Sequence, residues 1–591
     1  MLQLNYSFKS NLVCNLAASH TLLNCLVKEF ALPMGLCSYE WPSDISGIPI
    51  GVFFNGKLIE GIPLHIHMPN EQEFFILVDR KDCLGAQYYL SDIYTRKLED
   101  KWQYLDFEEF VNLLLESCSA ITGYHNKELI EQIYASRILK KQIHHFAQQQ
   151  DQNPLETYAR SEQALWFGHP THPAPKARLW STQQQNNFSP EFAIPNALYK
   201  FEVPKNGLLL RVNGQLTDTE ILQEIADQPE NPDKVIICLH PVQAQLFLQD
   251  ERVQSYIKKG IITDLGCVGE KFVPTASIRT WFSSKHNFFI KGSLHVRITN
   301  CVRKNAWYEL ESTLLIDKIF KKLLSSQAET FTSFQPVAEP AVLSWAPIDV
   351  SPEDQLWFQE QTGTIFRENF CKTEGDNNCL LAGTVFGRSY DLIPNIIDFL
   401  RTHLNQDLQD QDLLNWFKQY QSLLLNPVLS LFYQYGIVME PHLQNSVLVH
   451  QNSIPMKVLL RDFEGVKLTS DVGILLIQEE EIHPRVKQSV EYSREKGWKR
   501  ISYCLFVNHL SEAILALTWQ RPALAVQMWQ FVHDELEKFR NSISVPTPEI
   551  DALLAGAPIH CKTNFKVRLA GNADRDAGYV QLASPWSSAN V

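Results

Sequence analysis

EPHLQNSVLVH (residues 440–450) and IPMKVLLRDFEG (454–465) read as a polar cluster, a short β-hairpin and a buried strand that ends in an aspartate. The cluster Glu440, His442, Gln444 and Asn445 follows a helix predicted to start at Asn426, with Pro427 in its first turn, and to stop at Gly436. Two strands follow, Ser446 to His450 and Met456 to Arg461, around a turn containing Asn452 and Pro455. The hairpin returns Asp462 to the side of Gln444 and Asn445. Oxygen ligands at the start and end of one hairpin suit a Mg2+ ion that carries nucleotide phosphates, because this ion takes a few side-chain oxygens and completes its shell with phosphate and water. A role for Asp462 as a mere cap of the turn before Gly465 is the weaker reading, since an aspartate at the end of an apolar strand needs a polar partner.

Outward from the hairpin, the chain has 591 residues and 45% hydrophobic content, enough for about three domains. Acidic residues exceed basic ones by 66 to 53, for a net charge of −13, which argues against a nucleic-acid or anionic-membrane surface. Twelve cysteines are scattered without a CxxC pair and the N-terminus has no signal-peptide core, a pattern that predicts reduced thiols in a cytoplasm. No window approaches about 18 continuous apolar residues, so no stable membrane insertion is expected.

The predicted class is α+β multidomain. Residues 1–150 mix an amphipathic helix (SHTLLNCLVKEFALP) with short strands, and the Gln-rich HHFAQQQDQNPLE at 145–156 marks the first boundary. Residues 151–390 turn to strands. KVIICLH (234–240) is a buried run, and Ile290 to Thr299 alternates with period two, placing Lys291, Ser293, His295, Arg297 and Thr299 on one polar, cationic face. Residues 391–591 are mainly helical, with a long helical region at 503–542 and a polar, loosely held tail after about 572.

Two further constellations stand out. GHPTHPAPKAR (168–178) displays His169 and His172 from a loop stiffened by two His-Pro steps, with Lys176 and Arg178 downstream, an arrangement that can bind anions. The plainer alternative is a proline-rich connection with exposed histidines; zinc is disfavoured because no Cys or acidic pair completes a tetrahedral set. PTASIRT (274–280), Lys291 and TNCVRKN (299–305) supply the hydroxyls of Ser277 and Thr280 and the fixed cations Arg279, Lys291 and Arg303, suited to phosphates and carboxylates. Any one of these alone reads as a solvated rim residue.

GHPTHPAPKAR, HPVQAQ (240–245), PTASIRT, the Lys291 strand, EPHLQN, RDFEG and NHL (508–510) occur in the order and approximate spacing of one family: the chain resembles the IucA/IucC family, the NRPS-independent siderophore synthetases, over roughly 160–570. The resemblance implies a three-domain cupped hand with a β-rich middle domain and a helical C-terminal domain reminiscent of kinases, and ATP between the two. It implies ATP-dependent adenylation of a carboxylic acid, usually citrate, then displacement of AMP by an amine or hydroxyl nucleophile such as a polyamine. By this resemblance His169, Ser277, Arg279 and Thr280 hold the triphosphate, and Lys291 and Arg303 neutralise the α-phosphate and the attacking carboxylate. Glu440, Gln444, Asn445 and Asp462 manage Mg2+. His442 orients the acyl group and stabilises the adenylate; Thr299, Asn300 and, less strongly, Lys562 contact the substrate. Homodimers are common in such families. Two departures are visible: Pro441 and Leu443 replace small residues of the family pattern, and HPVQ replaces HPWQ. The rivals are a kinase-like phosphotransferase, disfavoured by the lack of a Gly-rich phosphate loop, and a non-catalytic citrate or nucleotide sensor.

Overall fold

The computed structural model describes residues 6–48, 53–54, 57–58, 61–97, 100–150, 153–179, 185–298, 301–327, 331–404, 407–573 and 576–587. Thr299 and Asn300 lie outside the described residues.

Three apolar cores organise the chain. The first joins the helix Tyr6–Leu26 to an antiparallel five-stranded sheet in the order Cys37–Ser38, Ile62–His67, Gln72–Val78, Tyr94–Lys97, Gln103–Tyr104, and to the helices Phe107–Thr122 and Lys127–Gln149. The helix Phe107–Thr122 begins where Asp106 accepts the N–H groups of Glu108 and Glu109 (2.8 and 2.9 Å) and ends on left-handed Gly123. The Gln-rich stretch is helical through Gln149.

The second core lies against an eight-stranded antiparallel sheet whose middle carries Thr364–Glu368, Phe288–Gly292, Thr280–Phe282 and Thr263–Pro274. The expected continuous strand from Ile290 to Thr299 is corrected here. It breaks at Ser293, whose N–H is taken by Gly363 O (2.9 Å), and Leu294–Ile298 joins a separate small sheet with Arg178–Leu179 and Cys301–Arg303. Lys291 therefore does not share one strand face with the polar residues beyond Ser293.

The third core is mainly helical and packs on one face of the hairpin through Leu448, Val458 and Leu460, while Val447, Val449 and Leu459 on the other face join a smaller cluster with Tyr158 and Phe289. Ser446–Gln451 and Ile454–Leu460 pair antiparallel, flanked by Cys379–Leu381 on one side and by parallel Phe334–Pro336 on the other. Asn452 and Ser453, both with positive φ, make the turn. The helix before the cluster runs from Asp410 to Tyr435, so Pro427 sits inside it and not in its first turn, as its sequence position had suggested. Leu424, Val428 and Leu431 around Pro427 are fully buried, and this packing holds the helix through the missing N–H. The region 503–542 is likewise interrupted, with a π-helical Tyr503–Leu510, then Ser511–Leu517, then Leu524–Ser542. The described part of the tail is held in place: Tyr579–Leu582 pairs with Ile559–Lys562, and Trp586 Nε1 donates to Trp529 O (3.1 Å). Among the described residues no helix is long and apolar enough to cross a membrane.

Candidate active site

A cavity of about 620 Å3 opens where the three cores meet. It is faced by the GHPTHP loop, the PTASIRT turn, Lys291, Arg303, the segment 440–445, Asp462, Glu464 and Lys562. Among the described residues eleven lysines and arginines line it, two of them (Lys176 and Arg178) paired with buried Glu191, against four carboxylates, Glu440, Asp462, Glu464 and Glu512, the reverse of the chain's overall acidity.

The PTASIRT turn links Thr263–Pro274 to Thr280–Phe282 and is closed by Thr275 N–H on Thr280 O (2.9 Å) and Ile278 N–H on Thr275 O (2.8 Å). Ile278 has φ +71°, a strained conformation for a β-branched residue that the surrounding core enforces. The turn presents Ser277 to the cavity beside Thr275 Oγ1 (3.3 Å), and it fixes Ala276 on two sides, by Glu162 Oε2 (2.9 Å) and by Gln444 Nε2 on its carbonyl (3.3 Å). The Thr280 hydroxyl faces the cavity without a protein partner.

Asp462 holds φ +84° at the end of the hairpin strand. Its carboxylate takes Lys291 Nζ at 2.5 Å and stands 3.9 Å from Arg367; Glu464 takes the same Lys291 at 3.2 Å and Arg279 at 2.7 Å. Lys291, Arg279 and Arg367 are buried; the three charges hold Asp462 far below the ordinary carboxylate range, and Arg279 and Lys291 hold Glu464 below it as well. Arg279 is further fixed by Asn305 Oδ1 (2.5 Å) and Arg303 O (3.2 Å). The strand before Asp462 is anchored by buried Arg461, which reaches Glu162 (2.5 Å) and Gln444 O (2.7 Å).

The segment 440–445 is held from below by the π-helix, whose wide turns expose Asn508 and His509 to it; such turns recur at functional sites. Asn508 Oδ1 accepts Leu443 N–H (3.1 Å), and its amide nitrogen lies 2.9 Å from His169 Nε2. His509 bridges Pro441 O (2.7 Å) and the Tyr420 hydroxyl (2.6 Å). His442 Nδ1 accepts Asn445 N–H (3.3 Å), and burial lowers its pKa, so the imidazole is neutral with its proton on Nε2. Glu440 is engaged by Arg500 (3.0 Å). Leu443 is buried in the helical core and borders the cavity.

The structure thus brings His169, Ser277, Arg279, Thr280, Lys291, Arg303, Glu440, His442, Gln444, Asn445, Asp462 and Lys562 to one cavity. The anion-binding reading of Lys176 and Arg178 fails: both are committed to buried Glu191, Arg178 through two bonds of 2.6 and 2.9 Å. The Nδ1 atoms of His169 and His172 accept the N–H groups of Thr171 (3.0 Å) and Ala174 (3.1 Å), which orients both rings. Sequence reasoning missed Arg367, Arg388, Lys496 and Arg500, which also line the cavity. For Mg2+, the fit rests on the oxygen donors of Glu440, Gln444, Asn445 and Asp462, which all line the cavity, with no preformed trio of His, Cys, Asp or Glu ligands there among the described residues. That is the donor set of an ion that keeps phosphate and water ligands.

Residues 157–387 match the IucA / IucC family, and residues 414–577, which carry EPHLQN, RDFEG and NHL, match the family described as ferric iron reductase FhuF-like transporter. The chain is 28% identical over 463 residues to the L-2,3-diaminopropanoate–citrate ligase of Staphylococcus aureus, covering 75% of this chain and 78% of that protein. It is 26% identical over 599 residues to the rhizobactin siderophore biosynthesis protein RhbC of Rhizobium meliloti, covering 96% of each. Among solved structures, ATP-bound aerobactin synthetase IucA from a hypervirulent pathotype of Klebsiella pneumoniae superposes with a TM-score of 0.82 at 20% identity, over 97% of this chain and 99% of that one. Petrobactin biosynthesis protein AsbB from Bacillus anthracis superposes with a TM-score of 0.71 at 18% identity, over 99% and 98%. The expected α+β multidomain fold is the fold of these structures.

Proposed function

We propose that this chain, whose residues 157–387 match the IucA / IucC family, is a siderophore synthetase of that family that uses ATP to activate a carboxylate of citrate and joins it to an amine, with release of AMP and pyrophosphate. The observation that carries the proposal is the cationic cavity, in which twelve side chains of the motifs, from seven separated stretches, come together, among them His442, whose pKa burial lowers. Citrate and a nucleoside triphosphate are both polyanions, and a wall of fixed guanidinium and ammonium groups in a chain of net charge −13 offsets their mutual repulsion. Relatives described as citrate ligases supply the identity of the acid.

In this reading the PTASIRT turn and His169 hold the triphosphate. Lys291 and Arg303 meet the negative charge that gathers on the α-phosphorus as a carboxylate oxygen attacks, and donors fixed in advance stabilise it without reorganisation. Mg2+, held by Asp462 with Gln444, Asn445 and Glu440 directly or through water, would supply further charge neutralisation. His442 Nε2–H donates to the acyl oxygen as the amine attacks and AMP departs. Thr299, Asn300 and Lys562 are assigned to the acyl substrate. The division into units 1–150, 151–390 and 391–591 belongs to the same proposal.

The test is pyrophosphate release with ATP, Mg2+ and a polyamine, comparing citrate, 2-oxoglutarate and succinate. Citrate-dependent pyrophosphate with AMP as co-product is expected. ADP in place of AMP would replace the synthetase by a phosphotransferase, and ATP binding without turnover under every acid would leave a sensor.

A further inference from the structure

We propose that His65, His67 and Glu73 form a binding site for a divalent transition cation of the zinc class, remote from the cavity. His65 and His67 lie two residues apart on the strand Ile62–His67, and so on one face of the sheet. The strand Gln72–Val78 pairs with it antiparallel in a register that sets Glu73 directly opposite His67. The three side chains therefore converge. His65 Nε2 lies 3.1 Å from Glu73 Oε2, His67 Nδ1 lies 3.4 Å from Glu73 Oε1, and the three ligand atoms fall within 4.8 Å of one another. A tetrahedral ion with metal–nitrogen and metal–oxygen bonds of about 2.0–2.2 Å separates its ligand atoms by about 3.3–3.5 Å, and each histidine already stands at about that spacing from its nearer Glu73 oxygen, His65 from Oε2 and His67 from Oε1.

The surroundings match what a ligand set requires. Arg96 Nε donates to Glu73 Oε2 (2.6 Å) and fixes the carboxylate, the part played by an outer partner at a metal centre. Arg96 also stacks on Trp102 (4.6 Å), and Trp102 packs edge-on against His65 (5.3 Å) with its Nε1 donating to Asp44 O (2.8 Å). The His65 ring and the Glu73 carboxylate are thereby held before any ion arrives. The His65 side chain is buried and that of His67 is 50% exposed, which leaves the outer coordination position to water. Two imidazoles and a carboxylate suit zinc, nickel or copper and disfavour magnesium or calcium. Among the described residues no other group of His, Cys, Asp and Glu has this geometry, and none of the three residues lines the cavity. The plain alternative is an Arg96–Glu73 ion pair flanked by two histidines with no affinity for metal.

The full chain, stripped with a chelator, is titrated with Zn2+ against a chromophoric competitor, in parallel with His67→Ala and Glu73→Gln. Both variants are compared with the wild type by circular dichroism, and His67, half in solvent, is replaced without disturbing a core. The expected result is one site present in the wild type and weakened by at least about 100-fold in each variant, because loss of an outer partner alone costs about 10- to 100-fold. A Co2+-substituted wild type should show the visible absorption of a tetrahedral site, and His67→Ala should lack it. Equal stoichiometry and affinity in all three proteins, or no binding by the wild type, would overturn the proposal.

Discussion

A histidine before proline does a repeated job in this chain. At His169, His172, His240 and His483 the Nδ1 atom accepts the N–H group two residues on, at 3.0, 3.1, 3.0 and 3.1 Å. His442 reaches the same state through Asn445 N–H, so its Nε2–H is the donor that meets substrate. His442→Ala should lower acid-dependent pyrophosphate release by about 100- to 1000-fold, the cost of deleting one preorganised donor, while the affinity for ATP, read by calorimetry, changes little. Asp462→Asn should raise the Mg2+ concentration needed for half-maximal rate, and an unchanged metal titration would remove Asp462 from the ligand set. These residues were legible because they cluster within short, chemically unusual strings such as EPHLQN and PTASIRT. Arg367 was not, because it sits in an ordinary strand sequence, TIFRE, and its closeness to Asp462 (3.9 Å) comes from a strand pairing remote in sequence. Lys176 and Arg178 were misread for the converse reason: their partner Glu191 follows a stretch with no pattern of its own.

At the scale of elements, the position of the segment 440–445 depends on how the helix Asp410–Tyr435 ends. Gly436 adopts φ +62°, and a Cβ there would stand 2.2 Å from Gly473 N and 2.4 Å from Thr469 Oγ1. The glycine serves both the left-handed cap and this close approach, after which Ile437–Val438 pairs with Lys467–Thr469 and delivers Glu440 to the cavity. Gly436→Ala should destabilise the chain by roughly 3 kcal/mol or more, since strain and a backbone clash combine, and thermal unfolding monitored by circular dichroism measures it. The end of this helix was readable because a glycine after an apolar periodic run has one common meaning. Its start was not, because Pro427 is tolerated only through the packing around it. The break at Ser293 was equally hidden: a period-two pattern continues unchanged when a chain passes from one sheet to another.

The whole molecule is held by contacts that tie its ends together. Glu29 Oε1 and Oε2 accept the N–H groups of Phe565 and Lys566 (2.7 and 2.9 Å), and Lys28 pairs with Glu512 (2.9 Å), so the first core closes onto the last segment of the chain. The polar composition after residue 572 concealed this, because a strand that pairs with Ile559–Lys562 needs only alternate buried positions. Packing of this extent encloses titratable groups, the fully buried His240 and His509 among them. Burial lowers His240 to about 3 and His509 to about 4, against about 6.5 in the unfolded chain. Below pH 6.5 the unfolded chain binds protons at both sites that the folded chain refuses until pH 3 to 4. Their contribution to stability is therefore complete above pH 6.5 and is lost as the pH falls through that window. His240→Asn isolates one of the two, because asparagine before Pro241 can still cap the helix Pro241–Gln249 but does not titrate. Between pH 6 and pH 5 the stability of the wild type, measured by urea unfolding, should fall more steeply than that of His240→Asn by about 1.4 kcal/mol per pH unit, the slope of one proton. Parallel curves would mean that His240 is already charged in the folded chain.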